Sequence, residues 1–74
     1  MPKLKILSGA AVCKILQMHG FTEIRQKGSH IIMQKRLEQE NSTVTVPVPD
    51  HKVIKKGTLQ SIIRQSGIPR SEFE

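Results

Sequence analysis

Residues 23–48 read EIRQKGSHIIMQKRLEQENSTVTVPV, and the fold turns on how this stretch is parsed. Glu23-Ile24-Arg25-Gln26 alternates, and Ser29-His30-Ile31-Ile32-Met33-Gln34-Lys35-Arg36 is β-prone and bounded by turn residues. Between them, Lys27-Gly28 supplies the positive φ that a tight hairpin turn needs. Residues 37–42 (LEQENS) are polar and read as a loop. Thr43-Val44-Thr45-Val46-Pro47-Val48 then alternates strictly, with its valines on one face. Pro47 has no N–H to give a ladder, so this strand belongs at an edge. The result is a three-stranded antiparallel meander with the first run at the other edge. Side chains alternate across a strand, so each face can be assigned. Val44, Val46 and Val48 take the core side. Parity in the middle strand sends either Ile31 and Met33 inward or Ile32 alone, and two apolar residues outweigh one. His30, Ile32, Gln34 and Arg36 then share the open face.

Outward from the meander, the flanks read as helices. Ser8 is a good N-cap, Val12, Ile15 and Leu16 recur at helical spacing, and Gly20 closes the segment. The first helix is expected over residues 9–19. Residues 49–56 (PDHKVIKK) form a loop rich in turn residues and lysine. Leu59, Ile62 and Ile63 repeat the stripe and Gly67 ends it, giving a second helix at about 58–66. Pro69 can open one more short turn ending in Phe73. The expected architecture is α+β, in the order α-β-β-β-α. One three-stranded antiparallel sheet carries both helices on one face, in a single domain spanning 1–74.

Composition narrows the function. A chain of 74 residues buries only about 60% of its unfolded surface and has no room for a deep substrate cavity. Lys and Arg number 12 against six acids, a net +6, and two of the acids are Glu72 and Glu74 at the very end. So basic a body points to a polyanion: nucleic acid, an acidic protein or an anionic membrane surface. No apolar run approaches the ~20 residues of a membrane-spanning helix, and Met1–Leu7 lacks the apolar core of a secretion signal. A single cysteine makes no intrachain disulfide and no multi-cysteine zinc site, so a reducing cytoplasm is the expected home. Trp and Tyr are absent and Phe occurs twice, which argues against a base-stacking platform for single strands.

Chemistry is sparse. The acids ahead of the tail are Glu23, Glu38, Glu40 and Asp50, which offer no cluster to hold Mg²⁺. No phosphate loop of the GxxxxGK[ST] type occurs, and neither a metal nor a cofactor is expected. His30 is the sharpest feature. It follows Lys27-Gly28-Ser29, on the face without helices, and histidine exchanges protons near neutral pH. RNA brings its own nucleophile, the 2′-hydroxyl, so His30 can serve as base on that hydroxyl or as acid on the leaving 5′-oxygen. Arg25, Lys27 and Arg36 are candidates to neutralise the phosphorane. The plainer reading of His30 is a surface histidine packed on the sheet. Lys55-Lys56-Gly57-Thr58 opens the second helix, where cations oppose the helix dipole. Either a phosphate sits there or the loop is simply a solvated basic one. His51, in the loop after Pro49-Asp50, is a candidate assistant. His19 and Cys13 lie along the first helix and read as capping and packing residues.

His19-Gly20-Phe21 closing a helix, Arg25-Gln26-Lys27-Gly28-Ser29-His30, Val46-Pro47, and Lys56-Gly57-Thr58-Leu59 with Ile62 and Gly67 together resemble the HicA (YcfA-like) mRNA interferase toxins. The resemblance runs from about Ser8 to Gly67. It implies a fold similar to a double-stranded-RNA-binding domain and ribosome-independent cleavage of mRNA. It also implies a HicB-type antitoxin that covers the active face. The family's functional histidine follows Gly-Ser, which here makes it His30, and a histidine near the end of the third strand corresponds to His51. On this reading Arg25, Lys27, Gly28, Ser29, Lys55 and Lys56 bind RNA, and the free chain is a monomer. A non-catalytic RNA-binding module is the alternative, and an interaction protein docking an acidic partner is a third.

Overall fold

A computed structural model describes residues 6–74; Met1–Lys5, most of the Met1–Leu7 segment that lacks a secretion-signal core, lie outside the described residues. Chain order is α1 (Gly9–Met18), β1 (Thr22–Lys27), β2 (His30–Leu37), β3 (Ser42–Pro49), α2 (Lys56–Ser66) and a 3-10 turn over Arg70–Phe73. This is the α-β-β-β-α order expected, with one antiparallel sheet in the order β1-β2-β3.

Ser8 is extended and its Oγ accepts from the Ala11 N–H at 3.1 Å, as an N-cap should. The helix ends at Met18, one residue inside the expected end, with His19 as its C-cap. The second helix starts two residues earlier than its apolar stripe suggests. Lys55 is its N-cap and Lys56 already helical, because Ile54 is buried and pins the entry to the helix.

β2 and β3 pair without interruption from His30↔Pro49 to Leu37↔Ser42. The loop between them is therefore residues 38–41, shorter than the polar run implied, and Asn41 takes its positive φ of 49°. Pro47 lies in an edge strand, as its missing N–H requires. β1 pairs with β2 from Thr22↔Gln34 to Lys27↔His30, with a bulge at Ile24 that leaves this residue unpaired and 47% exposed.

The helices cover one face only. Val12 and Leu16 of α1, with Leu59 and Ile62 of α2, close over Ile31, Met33, Val46 and Val48. Ile31 and Met33 are buried while Ile32 between them is half-exposed, so the parity argument holds. Val44 is half-buried at the edge of this core. Phe21, Ile54, Ile68 and Phe73 complete the core; Phe73 is 1% exposed although it is the penultimate residue. No helix among the described residues is long and apolar enough to cross a membrane.

Candidate nucleic-acid interface

The β1–β2 hairpin presents the central histidine. Lys27 and His30 face each other across the ladder, so Gly28 and Ser29 form a two-residue turn. Gly28 has φ +61°, and Ser29 is not among the residues with positive φ. Glycine first and an ordinary residue second is the pattern of a type II′ turn. The tight turn is thus Gly28-Ser29, one residue later than the Lys27-Gly28 pair that marks it in the sequence. A Cβ at Gly28 would meet nothing within 4 Å, so the glycine serves backbone conformation rather than space.

Residues opposite one another in an antiparallel pair share a face, their Cα atoms about 4.5–5.5 Å apart. His30 is exposed. Lys27↔His30 and Arg25↔Ile32 therefore put Lys27 and Arg25 on the open face beside His30 and Ile32. From β3, Pro49, Pro47, Thr45 and Thr43 join them. Gln34 donates from this face to the Thr45 hydroxyl at 3.3 Å, which corroborates the register. Glu23 pairs with buried Met33 and so lies on the other side. The strands leave no carboxylate on the open face.

Arg36 has to be separated from the group. It lies six residues along β2 from His30, roughly 20 Å at ~3.3 Å per residue. Its guanidinium donates to Asn41 Oδ1 at 3.2 Å in the far loop. A shallow concavity of about 280 Å³ lined by Lys35–Glu40 sits at that far end too.

At the His30 end, several elements converge. The Asp50 N–H donates to the Ser29 carbonyl at 2.7 Å, and the Gly9 N–H donates to the His51 carbonyl at 2.8 Å. A Cβ at Gly9 would strike the Pro49 carbonyl oxygen, so only glycine lets α1 begin hard against the end of β3. The Ile54 N–H donates to the Leu7 carbonyl at 2.8 Å, which draws the start of α2 to the same end. His51, Lys52, Lys55 and Lys56 are all exposed on this segment. His51 lies two residues beyond Pro49, the partner of His30, with its main chain engaged and its ring outward. Among the described residues, ion pairs join His19 to Glu72 and Arg70 to Glu74, and neither involves Arg25, Lys27, Lys55 or Lys56.

Two other candidates are structural. His19 Nε2 lies 3.0 Å from Glu72 Oε1, linking the end of α1 to the C-terminal turn. Cys13 is buried, and burial pushes its thiol up to about 11, with Glu23 and Asp50 adding to the effect. It stays protonated at neutral pH and is a poor nucleophile. Gln26 belongs to the quoted motif, but its role does not show in the sequence. It ties the turn to Asp50 with hydrogen bonds of 3.3 Å to the Gly28 carbonyl and 3.1 Å to Asp50 Oδ2. Helical or strand periodicity does not mark this role, because one of its two acceptors, Asp50, is 24 residues away.

Residues 9–68 match the family described as the HicA toxin of bacterial toxin–antitoxin pairs. The chain belongs to the HicA toxin family. The match includes the whole of α1, the sheet and α2, and with them the convergent end around His30. It stops short of the 3-10 turn that carries Phe73. Membership makes this HicA-family chain the toxin component of a toxin–antitoxin pair, with an antitoxin as its partner. A search of the curated proteins found no match.

Proposed function

We propose that this HicA-family chain is a metal-independent endoribonuclease that cleaves mRNA in the cytoplasm, with His30 as its general acid or base. The observation that carries the reading is an exposed histidine directly after the Gly28-Ser29 turn, opposite Lys27, on a sheet face with cations and no strand carboxylate. In the proposed reaction the 2′-oxygen of the RNA forms a bond to phosphorus and the bond from phosphorus to the 5′-oxygen breaks. One proton leaves the 2′-hydroxyl and one reaches the departing oxygen. His30 carries one of these transfers, and His51 is the candidate for the other. Arg25 and Lys27 lie beside His30 to offset the charge that builds on the phosphorane. Lys55 and Lys56 extend the positive surface along the backbone of the RNA, and the Gly28-Ser29 turn lets the strand approach closely.

The test is cleavage of a defined single-stranded RNA in EDTA by wild type and His30→Ala, with affinity measured for both. Cleavage by wild type alone, at undiminished affinity in the variant, is the expected result. Binding without cleavage by either protein would transfer the reading to a non-catalytic RNA-binding module. Activity that vanishes in EDTA yet survives His30→Ala would overturn the histidine mechanism.

The proposed partner is a HicB-type antitoxin that lies over the open face and buries His30. Such a partner competes with RNA, so saturating antitoxin is expected to abolish cleavage. Undiminished cleavage in the saturated complex would place the antitoxin elsewhere.

A further inference from the structure

The turn before His30 is held by two side chains that the proposed proton transfers do not use. Gln26 pairs with Ile31, which is buried under the helices, so Gln26 lies on the helix side of the hairpin. From there its Nε2 donates to the Gly28 carbonyl at 3.3 Å and to Asp50 Oδ2 at 3.1 Å. An amide NH₂ has two hydrogens, so both acceptors can be served at once. The Asp50 main chain closes the circuit, its N–H donating to the Ser29 carbonyl at 2.7 Å. The end of β1, the turn and the residue after β3 are thereby locked together.

The consequence is one of direction. The Gly28–Ser29 peptide is planar and trans, so its N–H points opposite to its C=O. Gln26 draws that C=O to the helix side. The Ser29 N–H therefore points to the open side, where Lys27 and His30 lie. Among the described residues, no backbone or side-chain acceptor takes its hydrogen. A flipped central peptide would convert the turn to type I′, which demands positive φ at the second position and disfavours serine there. Gln26 and Gly28 thus favour the same peptide orientation, one by a hydrogen bond and the other by its backbone freedom.

We infer that Gln26 and Asp50 are positioning residues that aim the Ser29 main-chain N–H, beside Lys27, at a non-bridging oxygen of the RNA phosphodiester on which His30 acts. This rests on the RNA-cleaving reading above and adds the donor that reading lacks. Negative charge gathers on the non-bridging oxygens as the 2′-oxygen attacks. A dipole already aimed at that charge stabilises it without reorganising.

The experiment titrates a 2′-O-methyl RNA oligonucleotide, whose nucleophile is blocked, into ¹⁵N-labelled protein and follows the backbone amides. Cleavage of the matching unmodified RNA is measured in parallel under single-turnover conditions. In wild type the Ser29 amide proton is expected to move downfield to saturation. In Gln26→Ala and Asp50→Ala that movement shrinks, while the responses around Lys55 and Lys56 persist and the dispersed spectra report an intact fold. Cleavage by Gln26→Ala is expected to fall about 10- to 100-fold at nearly unchanged affinity, short of the ~10²–10³-fold for outright loss of an oxyanion donor. His30→Ala keeps the Ser29 response and loses cleavage. A Ser29 amide that ignores the oligonucleotide in wild type, or responds equally in both variants, overturns the inference and leaves the nuclease reading intact. A Gln26-dependent Ser29 response in a protein that cleaves no RNA supports the aiming of the N–H and overturns the nuclease reading instead.

Discussion

The two faces of the sheet are built from the same strands and obey opposite rules. On the helix side, Met33, Val46 and Val48 are fully buried among Val12, Leu16, Leu59, Ile62 and Phe73. On the open side, Arg25, Lys27 and His30 face away from every helix and no described ion pair holds the two cations. One face pays for folding by removing apolar surface from water. The other keeps a cationic surface that folding does not need. Because consecutive strand residues alternate between the faces, a chain this short supports a core and a binding surface on the same few residues.

That contrast is broken most severely at Phe73 and His30. Phe73→Ala empties a large fully buried side chain from a small core, and a loss of about 3–5 kcal/mol is expected. Chemical denaturation should show a much lower midpoint, with the folded fraction still cleaving RNA normally. His30→Ala should do the reverse, changing stability by no more than about 0.5 kcal/mol, as expected for an exposed site. Finding both properties altered in both variants would mean the faces are not energetically separate.

A smaller effect sharpens the division within the open face. Lys27→Ala should weaken RNA binding and reduce the dependence of log affinity on log salt by about one phosphate contact. Arg36→Ala, at the far end and engaged with Asn41, should leave that salt dependence nearly unchanged. Equal effects from the two would extend the interface along the full length of β2.

At neutral pH the smallest effect belongs to Cys13, at the rim of the buried side, whose contribution changes only in alkali. Its thiol is raised to about 11, so the folded state favours the neutral form. The associated stability is fully present below the pKa of an unfolded thiol, about 8.5, and is lost as pH rises toward the folded value. Urea midpoints should therefore fall more steeply between about pH 9 and 11 in wild type than in Cys13→Ala. At pH 8 an alkylating reagent should label the folded protein far more slowly than the unfolded one.

What could be read from the residues follows from the range of the forces that encode it. Helical spacing in Val12-Ile15-Leu16 and Leu59-Ile62-Ile63, the alternating valines of β3, the Ser8 cap and the proline in an edge strand are local signals. Each acts over a few residues, and each reappears in the structure. The Ile31–Met33 parity carries further still, since by itself it assigns His30 to the open face. The start of α2 is legible only to within two residues because Lys56-Gly57 carries no apolar marker, and its position depends on the burial of Ile54. Arg36 was grouped with His30 because parity reports the face of a strand and says nothing of distance along it.

Local sequence therefore determined the element order, the faces of the sheet and the candidate histidine. Only the tertiary structure decided which residues stand around that histidine. Gly9 against Pro49, Ile54 tied to Leu7, and Gln26 reaching Asp50 are contacts between segments distant in the chain. They form when the packed core brings those segments to one end of the sheet, and no periodicity along the chain records them.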